Sequence, residues 1–267
     1  MTGNITKNQI KKAKALHQKK FRDQYNSFLI EGVKLVGEAL TAGAHLEMIA
    51  YRGKPHDFPF KLPETALPAS TAEMTRMSAL KTAPPILAVC RKPQLSQPPA
   101  PPAPPAPPAT SAPPLPIEYE DSFFALDGVS DPGNLGTILR ICDWFGFTRL
   151  VCTPDCVDVY NPKVVQASMG AIFRVHTVYT PLEPVLNTLP QDFGVWAADM
   201  AGRSLYTVEF PRRTVFIFGS EAHGLRTDTQ ATTDGTFAIP RYGAGESLNV
   251  AVAVAITAAE LQRRKFH

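Results

Sequence analysis

In the second half of the chain, short apolar runs that suit buried β-strands alternate with stretches of helical periodicity. The apolar runs cover residues 123–126, 149–153, 175–179, 194–198 and 214–218. Helices are predicted over residues 137–145 and from Asn161, an N-cap followed by Pro162, to Gly170. Strands that alternate with helices indicate an α/β fold whose parallel sheet is covered on both faces.

The first 92 residues show a smaller set of the same elements. A basic helix is predicted over residues 5–22 and an apolar one over residues 32–42. Strands are predicted over residues 28–30, 46–51 and 86–90, and Ser70 can cap a helix that carries Met74 and Met77. This pattern predicts a small α/β domain.

A proline-rich segment separates the two parts. Residues 93–116 contain 12 prolines in 24 positions and no charged or aromatic residue. Proline lacks the backbone N–H and fixes φ, so this segment is predicted to be an extended polyproline II spacer. The predicted organisation is therefore a domain over residues 1–92, a linker over residues 93–116 and a second domain over residues 117–267.

The net charge of +3 is distributed unevenly along the chain. Residues 1–92 hold 15 Lys and Arg against seven Asp and Glu, so the remainder is mildly acidic. A basic N-terminal part suggests contact with a polyanion, usually nucleic acid, although a solvated helix face explains the charge equally well.

Cysteine usage and hydropathy narrow the class of protein. Four cysteines occur without a C-x-x-C pair or a nearby histidine cluster, which predicts free buried thiols in a reducing cytoplasm and no metal site. No run of 18 apolar residues occurs, so we expect no membrane span. The basic N-terminus lacks the apolar segment and cleavage site of a signal peptide, and we expect a cytoplasmic protein.

Ligands of parallel α/β sheets bind beyond the carboxyl ends of the strands, so the loops at these ends are candidate sites. The first is LDGVSDPGNLGTILR at residues 126–140. Its glycines and prolines predict a tight loop, in which Asn134 either caps the next helix or belongs to a site. Arg140 is either an exposed helical residue or part of a site; because it stands among apolar residues, we expect an anionic partner for its guanidinium.

The second candidate segment is GSEAHGLR at residues 219–226, directly after an apolar strand. Glu221 lies just past the strand end, where a carboxylate is expected to serve a site. The pattern G-x-x-x-x-G-K-[ST] does not occur in the chain, which argues against a phosphate-binding P-loop.

The third segment is GAGESLNVAVAVAI at residues 243–256, which suits either a half-buried strand or a glycine turn followed by a helix. We favour the helix, capped by Ser247 or Asn249, because a helical pattern with basic residues in its last turns continues to the C-terminus. The pattern G-x-S-x-G is missing here, which argues against a serine hydrolase.

Together, three blocks resemble the SpoU/TrmH family of RNA 2′-O-ribose methyltransferases within the SPOUT superfamily. They are LDGVSDPGNLGTILRICDWFGF (126–147), FIFGSEAHGL (216–225) and IPRYGAGESLNVAVAVAI (239–256). The first domain is similar to the family's substrate-binding extension with the ribosomal L30e fold, through FLIEGVKLVGEAL (28–40) and ILAVCRKP (86–93). The resemblance covers nearly the whole chain except the proline-rich segment.

The resemblance implies a SPOUT α/β domain with a deep trefoil knot, an L30e-like N-terminal domain and a homodimer. It implies methyl transfer from S-adenosyl-L-methionine to a ribose 2′-hydroxyl of structured RNA, ribosomal RNA more than tRNA. Its implied catalytic residues are Asn134, Arg140, Glu221, Ser247 and Asn249. Its implied cofactor contacts are Phe218, Gly219, Ser220, Ile239, Pro240, Leu248 and Asn249.

Two other functions are compatible with parts of the pattern. A non-catalytic RNA-binding or ribosome-assembly factor would keep the fold, yet it would not need Arg140, Glu221 and Asn249 together. A Rossmann-type methyltransferase would carry G-x-G-x-x-G after its first strand, and Gly128, Gly133 and Gly136 do not match this spacing.

Overall fold

The computed structural model describes residues 4–93, 121–220 and 224–265, which form two sheets. The elements of the first part are α1 (Lys7–Ala15), α2 (Lys19–Tyr25), β1 (Ser27–Glu31), α3 (Val33–Thr41), β2 (Leu46–Tyr51), β3 (Leu67–Pro68), α4 (Thr71–Met77) and β4 (Ile86–Arg91). Their sheet has the strand order β1-β4-β2-β3, in which β4 runs antiparallel to both β1 and β2.

Both faces of this first sheet are covered, which explains why its strands are largely apolar on both sides. Phe28 and Ile30 of β1 pack with α3, while Leu29 between them packs with α1 and α4 on the other face. Since successive side chains of a strand point to opposite faces, each strand contributes to both small cores. The predicted strands and the Ser70-capped helix α4 are confirmed.

The single basic helix predicted over residues 5–22 is wrong, because the chain turns between α1 and α2. The guanidinium of Arg22 donates hydrogen bonds of 2.9 Å to the carbonyl oxygens of Leu16 and His17. These bonds satisfy carbonyls left free where α1 ends. Helical periodicity continues through this turn, so the sequence pattern gives no sign of it.

The second part forms a six-stranded sheet in which all strands are parallel. Its elements are β5 (Phe123–Asp127), α5 (Pro132–Trp144), β6 (Arg149–Cys152), α6 (Pro162–Ser168), β7 (His176–Tyr179), α7 (Leu182–Asn187), β8 (Phe193–Ser204), β9 (Arg213–Gly219), α8 (Thr227–Ala231), β10 (Gly235–Ala238) and α9 (Val250–Lys265). The strand order is β10-β8-β9-β5-β6-β7. Helices α5 and α9 pack on one face and α7 on the other, which confirms the predicted α/β class.

Two predicted boundaries in this domain need correction, and two helices were missed. Helix α5 begins at Pro132 rather than at residue 137, because Asp131 caps it by accepting a 2.8 Å hydrogen bond from the Asn134 N–H. Strand β8 continues to Ser204, six residues beyond its predicted end. The helices α7 and α8 were not predicted; both are short, and periodicity is a weak signal over so few residues.

The segment 243–256 ends in a helix, as predicted. Asn249 accepts hydrogen bonds from the backbone N–H groups of Ala251 and Val252 at 3.0 and 3.3 Å, so it caps α9. The buried Val250, Ala251 and Val254 pack on the core, whereas Val252 points outward. The Val–Ala alternation therefore did not reflect a strand.

Some sequence predictions concern residues other than the described ones. Residues 94–116 of the linker lie outside them, so the domain boundaries stay predictions, as does the trefoil knot. All four cysteines are free and buried. Among the described helices, none has both the length and the apolar character needed to cross a bilayer. The described residues also contain no group of three or more His, Cys, Asp or Glu suited to a metal ion.

The C-terminal end of α9 is anchored by a cluster of charged side chains. Glu260 is buried and forms ion pairs of 2.8 Å with Arg263 and Arg264. Arg264 also donates hydrogen bonds to the carbonyl oxygens of Val208 and Leu205 in the segment after β8. The hydrogen bonds from Arg263 and then Arg264 lower the pKa of Glu260 from 4.5 to about 2.

We expect Glu260→Gln to lower the free energy of unfolding at pH 7 by about 1–2 kcal/mol, because it removes charge-assisted hydrogen bonds. Since the folded pKa lies below the unfolded one, this stabilisation is complete above the unfolded value and is lost as pH falls from about 4.5 to 2. Urea titrations from pH 7 to pH 2, with the exposed Glu209→Gln as control, measure the difference. An equal deficit at both extremes of pH would contradict the assignment.

Candidate active site

The site forms where the first and second candidate segments leave neighbouring strands. In the pairing of β5 with β9, Asp127 lies opposite Gly219, so both strands end at the same edge. Gly128 follows with φ +73°, and a Cβ placed on it would lie 3.7 Å from Cβ of Ser220. The two segments are therefore in van der Waals contact from their first residues.

A hydrogen bond joins the first segment to the third. The side-chain amide of Asn249 donates a 2.9 Å bond to Oδ1 of Asn134. Asn134 is in the first turn of α5 and Asn249 caps α9, so the bond connects the N-terminal ends of two helices packed on one face of the sheet. Partial positive charge at these ends favours negative charge on a ligand nearby.

Of the predicted cofactor contacts, those on β9 can offer only backbone. The Phe218 side chain is buried against Phe124 and Phe237, with ring centroids 5.9 and 6.0 Å away. Gly219 has no room for a side chain, since a Cβ there would lie 2.3 Å from backbone atoms of Gly224. The backbone N–H groups of Ser220 and Gly224 each donate to the other's carbonyl oxygen, at 3.1 and 2.9 Å, which holds these two residues together.

The predicted cofactor contacts of the third segment are less buried than those on β9. Ile239 packs on the main core directly after β10, and Pro240 is half-buried. Ser247 and Leu248 are exposed beside Asn249, and the Leu248 side chain is 49% exposed. An exposed large apolar side chain beside a candidate site indicates contact with an apolar part of a ligand.

The structure describes no contact between Arg140 and Glu221. Arg140 lies on the exposed face of α5 with Thr137 and Trp144, and no carboxylate among the described residues is within ion-pair distance of it. The described residues therefore do not include the anionic partner that was expected for Arg140. Glu221 lies outside the described residues.

Sequence reasoning missed Asp127, the last residue of β5. Its side chain is 2% exposed, and Oδ2 accepts hydrogen bonds from the Arg226 backbone N–H at 3.1 Å and from the Thr229 hydroxyl at 3.0 Å. The guanidinium of Arg226 also forms ion pairs with Asp127 and Asp155. Asp127 thus fixes the chain just after residues 221–223. The signal for Asp127 that the sequence offered was a carboxylate at the end of an otherwise apolar strand.

A second omission is the excursion of β8 at residues 198–202. The register between β10 and β8 jumps, so that Thr236 pairs with Ala197 but Phe237 pairs with Arg203. Within the excursion, Asp199 accepts a 2.8 Å hydrogen bond from the Ala201 N–H, and Met200 is exposed. Because β8 lies between β9 and β10, this excursion stands at the edge where Gly219 and Ile239 leave their strands.

Comparison with known proteins identifies the family. The model of the SpoU rRNA Methylase family matches residues 121–259, which is more than half of the chain. The chain belongs to this family. The model of an MRM3-like substrate binding domain matches residues 7–88, so the family resemblance stated for both parts of the sequence is confirmed.

Named relatives of this SpoU methylase act on ribosomal RNA. It is 32% identical to the 23S rRNA (guanosine(2553)-2′-O)-methyltransferase RlmP of Bacillus subtilis, over 94% of each chain. It is 40% identical to the 23S rRNA (guanosine-2′-O-)-methyltransferase RlmB of Xanthomonas axonopodis, over 52% of this chain and 57% of the relative. The chain thus spans nearly all of the first relative and little more than half of the second.

Solved structures confirm the fold of this SpoU methylase. A TrmH-family protein from Porphyromonas gingivalis superposes with a TM-score of 0.80 and 32% identity, over 98% of this chain and all of the other. The SpoU methyltransferase AviRb from Streptomyces viridochromogenes, solved in complex with the cofactor AdoMet, has a TM-score of 0.76 at 21% identity, over 98% and 99% of the chains. Both alignments include the N-terminal domain.

The bridge between the two asparagines can be separated from the capping of α9. Asn249→Asp keeps an acceptor for the N–H groups of Ala251 and Val252, but it replaces the donor to Asn134 by a repelling oxygen. We expect an unchanged melting temperature and an affinity for S-adenosyl-L-methionine about tenfold lower, which corresponds to about 1.4 kcal/mol.

Calorimetric titration and scanning calorimetry measure these two quantities. Asn187→Asp, at an exposed position on α7, controls for the added charge. Undiminished affinity in Asn249→Asp would show that the bridge does not shape the cofactor site.

Proposed function

We propose that this protein methylates a ribose 2′-hydroxyl of ribosomal RNA with S-adenosyl-L-methionine as methyl donor. The observation that carries the proposal is the match of both domains, over 94% of the chain, to a 23S rRNA 2′-O-methyltransferase. Transfer RNA is the second candidate substrate, because the same family resemblance allows it. We place the reaction in the cytoplasm, consistent with the four free cysteines.

The residues present suit the methyl donor. Gly219 and Gly224 leave the strand end without side chains, and Ser220 beside them has its backbone hydrogen-bonded to Gly224. Exposed apolar side chains occur at Met200, within the excursion of β8, and at Leu248, in the segment after β10. Backbone polar groups and apolar side chains together match a ligand with an adenine ring and an amino-acid tail. When bound, the cofactor supplies an electrophilic methyl group.

The chain's own residues would position and activate the ribose. Arginine stays protonated in proteins, so Arg140 cannot act as a literal general base. We assign it to the phosphate next to the target ribose, where its two-pronged guanidinium also stabilises negative charge developing on the 2′-oxygen. Glu221 and Asn134 would hold Arg140 and the ribose, and Ser247 and Asn249 would orient the ribose from the opposite segment.

The N-terminal domain offers a surface for RNA phosphates. Lys7, Lys11 and Lys14 are exposed at helical spacing on α1, and the adjoining side of the helix buries Ile10 and Ala13. We call Lys7, Lys11 and Lys14 the lysine stripe. Phosphate contacts of this kind supply affinity without reading sequence, which suits recognition of a structured RNA by its shape.

Transfer of labelled methyl groups from S-adenosyl-L-methionine to ribosomal RNA tests the reaction, and mapping of 2′-O-methyl sites tests the substrate. In the same assay we expect Arg140→Lys to lower kcat by about a hundredfold, because a lysine keeps the charge but loses the bidentate geometry.

Cofactor affinity should be unchanged in Arg140→Lys. A variant with near wild-type kcat would remove the phosphate-clamp role. If the unaltered chain binds no S-adenosyl-L-methionine, the non-catalytic RNA-binding function replaces the enzyme.

We also propose that the protein is a homodimer through the exposed face of α5 and α9. Trp144 is 84% exposed and Val252 46% exposed, and the partly exposed Ile256 lies one turn beyond Val252. Large apolar side chains on adjacent packed helices are typical of a subunit interface.

Light scattering should give twice the chain mass of 29.1 kDa at micromolar concentration. We expect Val252→Asp to give a monomer, because it places a charge in the apolar contact while a carboxylate in the first turn suits the α9 dipole. Gln230→Asp, exposed on α8, is the control. A monomeric parent chain would rule out the dimer.

A further inference from the structure

A buried ion pair joins the two domains. Arg22 of α2 is 2% exposed, and its Nε and Nη2 atoms donate to Oδ2 of Asp158 at 3.0 and 2.7 Å. The remaining guanidinium nitrogen, Nη1, donates to Leu16 and His17 within the N-terminal domain. Every nitrogen of this guanidinium is therefore directed into the protein, and Arg22 has no group left for a phosphate.

Other contacts surround the pair and exclude water. The Tyr160 ring lies 4.7 Å from the Phe28 ring and 5.0 Å from Nζ of Lys92, both in the N-terminal domain. Val165 of α6 is buried inside the apolar core of the N-terminal domain. Burial raises the pKa of Tyr160 to about 12, as expected in a dry contact.

A second cluster lies on the outer side of the same contact. Arg174 forms ion pairs with Glu38 of α3 at 2.6 Å and with Asp143 of α5 at 2.8 Å. Next to it the backbone of Gly170 approaches Glu38 so closely that a Cβ would lie 2.7 Å from Cγ of that residue. The domains are thus held at three separate points, all formed by folded elements.

The segment that receives Arg22 also supports the candidate site. Residues 153–161 connect β6 to α6 and contain Asp158. The Val157 N–H donates to the carbonyl oxygen of Val129 at 3.0 Å, and the Gly128 N–H donates to the Thr153 hydroxyl at 2.9 Å. Gly128 and Val129 begin the loop that leads to Asn134. One short segment therefore holds the N-terminal domain on one side and the first site loop on the other.

We propose that Arg22 and Asp158 are positioning residues, which hold the lysine stripe at one fixed offset from the methyl-transfer site. In this proposal the docked interface, rather than the length of the proline-rich linker, decides which nucleotide is methylated. The inference rests on the proposed function, because it concerns the selection of a ribose within a bound RNA. The physical basis is that the lysine stripe holds the RNA by its phosphates. The docked domains fix the distance between this contact and the methyl-transfer site, and that distance determines which ribose reaches the site.

Substitutions of the pair separate positioning from RNA binding. Asp158→Leu leaves the buried Arg22 without its partner, and Arg22→Met does the same to Asp158. We expect either variant to lower kcat/KM for ribosomal RNA by about tenfold or more and to scatter the mapped methylation sites. Affinity for S-adenosyl-L-methionine should stay within about twofold, because the cofactor segments are not in contact with the pair.

The double variant Arg22→Met with Asp158→Leu is the decisive case. Apolar side chains of similar volume can replace a buried ion pair without loss of docking, so we expect it to recover most of the rate and the single site. The remaining loss reflects the bonds to the Leu16 and His17 carbonyl oxygens and from the Tyr160 N–H, which the double variant also lacks. An Arg22 that contacted RNA directly would not be rescued by a change at Asp158. Failure of the double variant, alongside intact folding by calorimetry, would overturn the positioning role.

The linker and the lysine stripe provide contrasting variants. Insertion of a Gly–Ser stretch after Ala106 should leave both rate and methylation site unchanged, since the folded contacts set the offset. Replacement of Lys7, Lys11 and Lys14 by Gln should raise KM and reduce its salt dependence without moving the site. A methylation site displaced by the linker insertion would refute the proposal.

Spin labels give a readout that does not depend on activity. Thr75 and Asn187 are exposed on α4 and α7, one in each domain, and the native cysteines are buried. With cysteines at these two positions, and labelled chains diluted with unlabelled ones so that each dimer carries one labelled subunit, dipolar spectroscopy should show one narrow distance in the parent chain and with the linker insertion. The distribution should broaden in Asp158→Leu and narrow again in the double variant.

A narrow distance in both single variants would overturn the docking role of the pair. A parent chain that methylates no RNA would instead overturn the proposed function, and the distance distributions would still decide whether Arg22 and Asp158 dock the domains.

Discussion

Parallel pairing of β5 with β9 is the constraint on which the candidate site depends. This pairing places Asp127 opposite Gly219, so both strands end at the same edge of the sheet. At this edge, the buried carboxylate of Asp127 accepts hydrogen bonds from the backbone N–H of Arg226 and from the hydroxyl of Thr229. These bonds hold the chain that continues from the second loop. A buried carboxylate is stable only when it is hydrogen-bonded, so the loop and the strand end stabilise each other.

Close backbone approach gives this arrangement its rigidity. A Cβ on Gly136 would lie 2.4 Å from Cβ of Ala167, so α5 and α6 pack with almost no separation. Gly219 lies against Gly224 in the same manner. Because α5 carries Asn134 and α6 carries Val165, which is buried in the N-terminal core, the same close packing relates the site to the first domain.

The basic N-terminal region serves two physical purposes. Its lysine stripe remains in water, whereas three other basic side chains are committed to ion pairs: Lys12 with Glu47, Lys19 with Asp23 and Arg22 with Asp158. The number of basic side chains in this region therefore overstates the number available to RNA. The deepest of these pairs lies between the domains, where removal from water makes the loss of either partner costly.

The sequence by itself determined the α/β class, most strands and the membership of a methyltransferase family. These follow from local apolar periodicity and from residues contiguous in the chain, such as Ser70 before α4 and Asn161 before Pro162. It did not reveal the turn between α1 and α2, the true start of α5 or the excursion of β8. The excursion of β8 depends on a register shift between strands, and the turn between α1 and α2 is held by Arg22, whose partner Asp158 is distant in sequence. The start of α5 was missed although its cap, Asp131, is a local signal. The roles of Arg22 and Asp127 depended on tertiary structure as well, because a charged residue in a sequence looks the same in water and in the interior. Only the folded chain, which buries both side chains and supplies their partners, decided that one docks a domain and the other fixes a site loop.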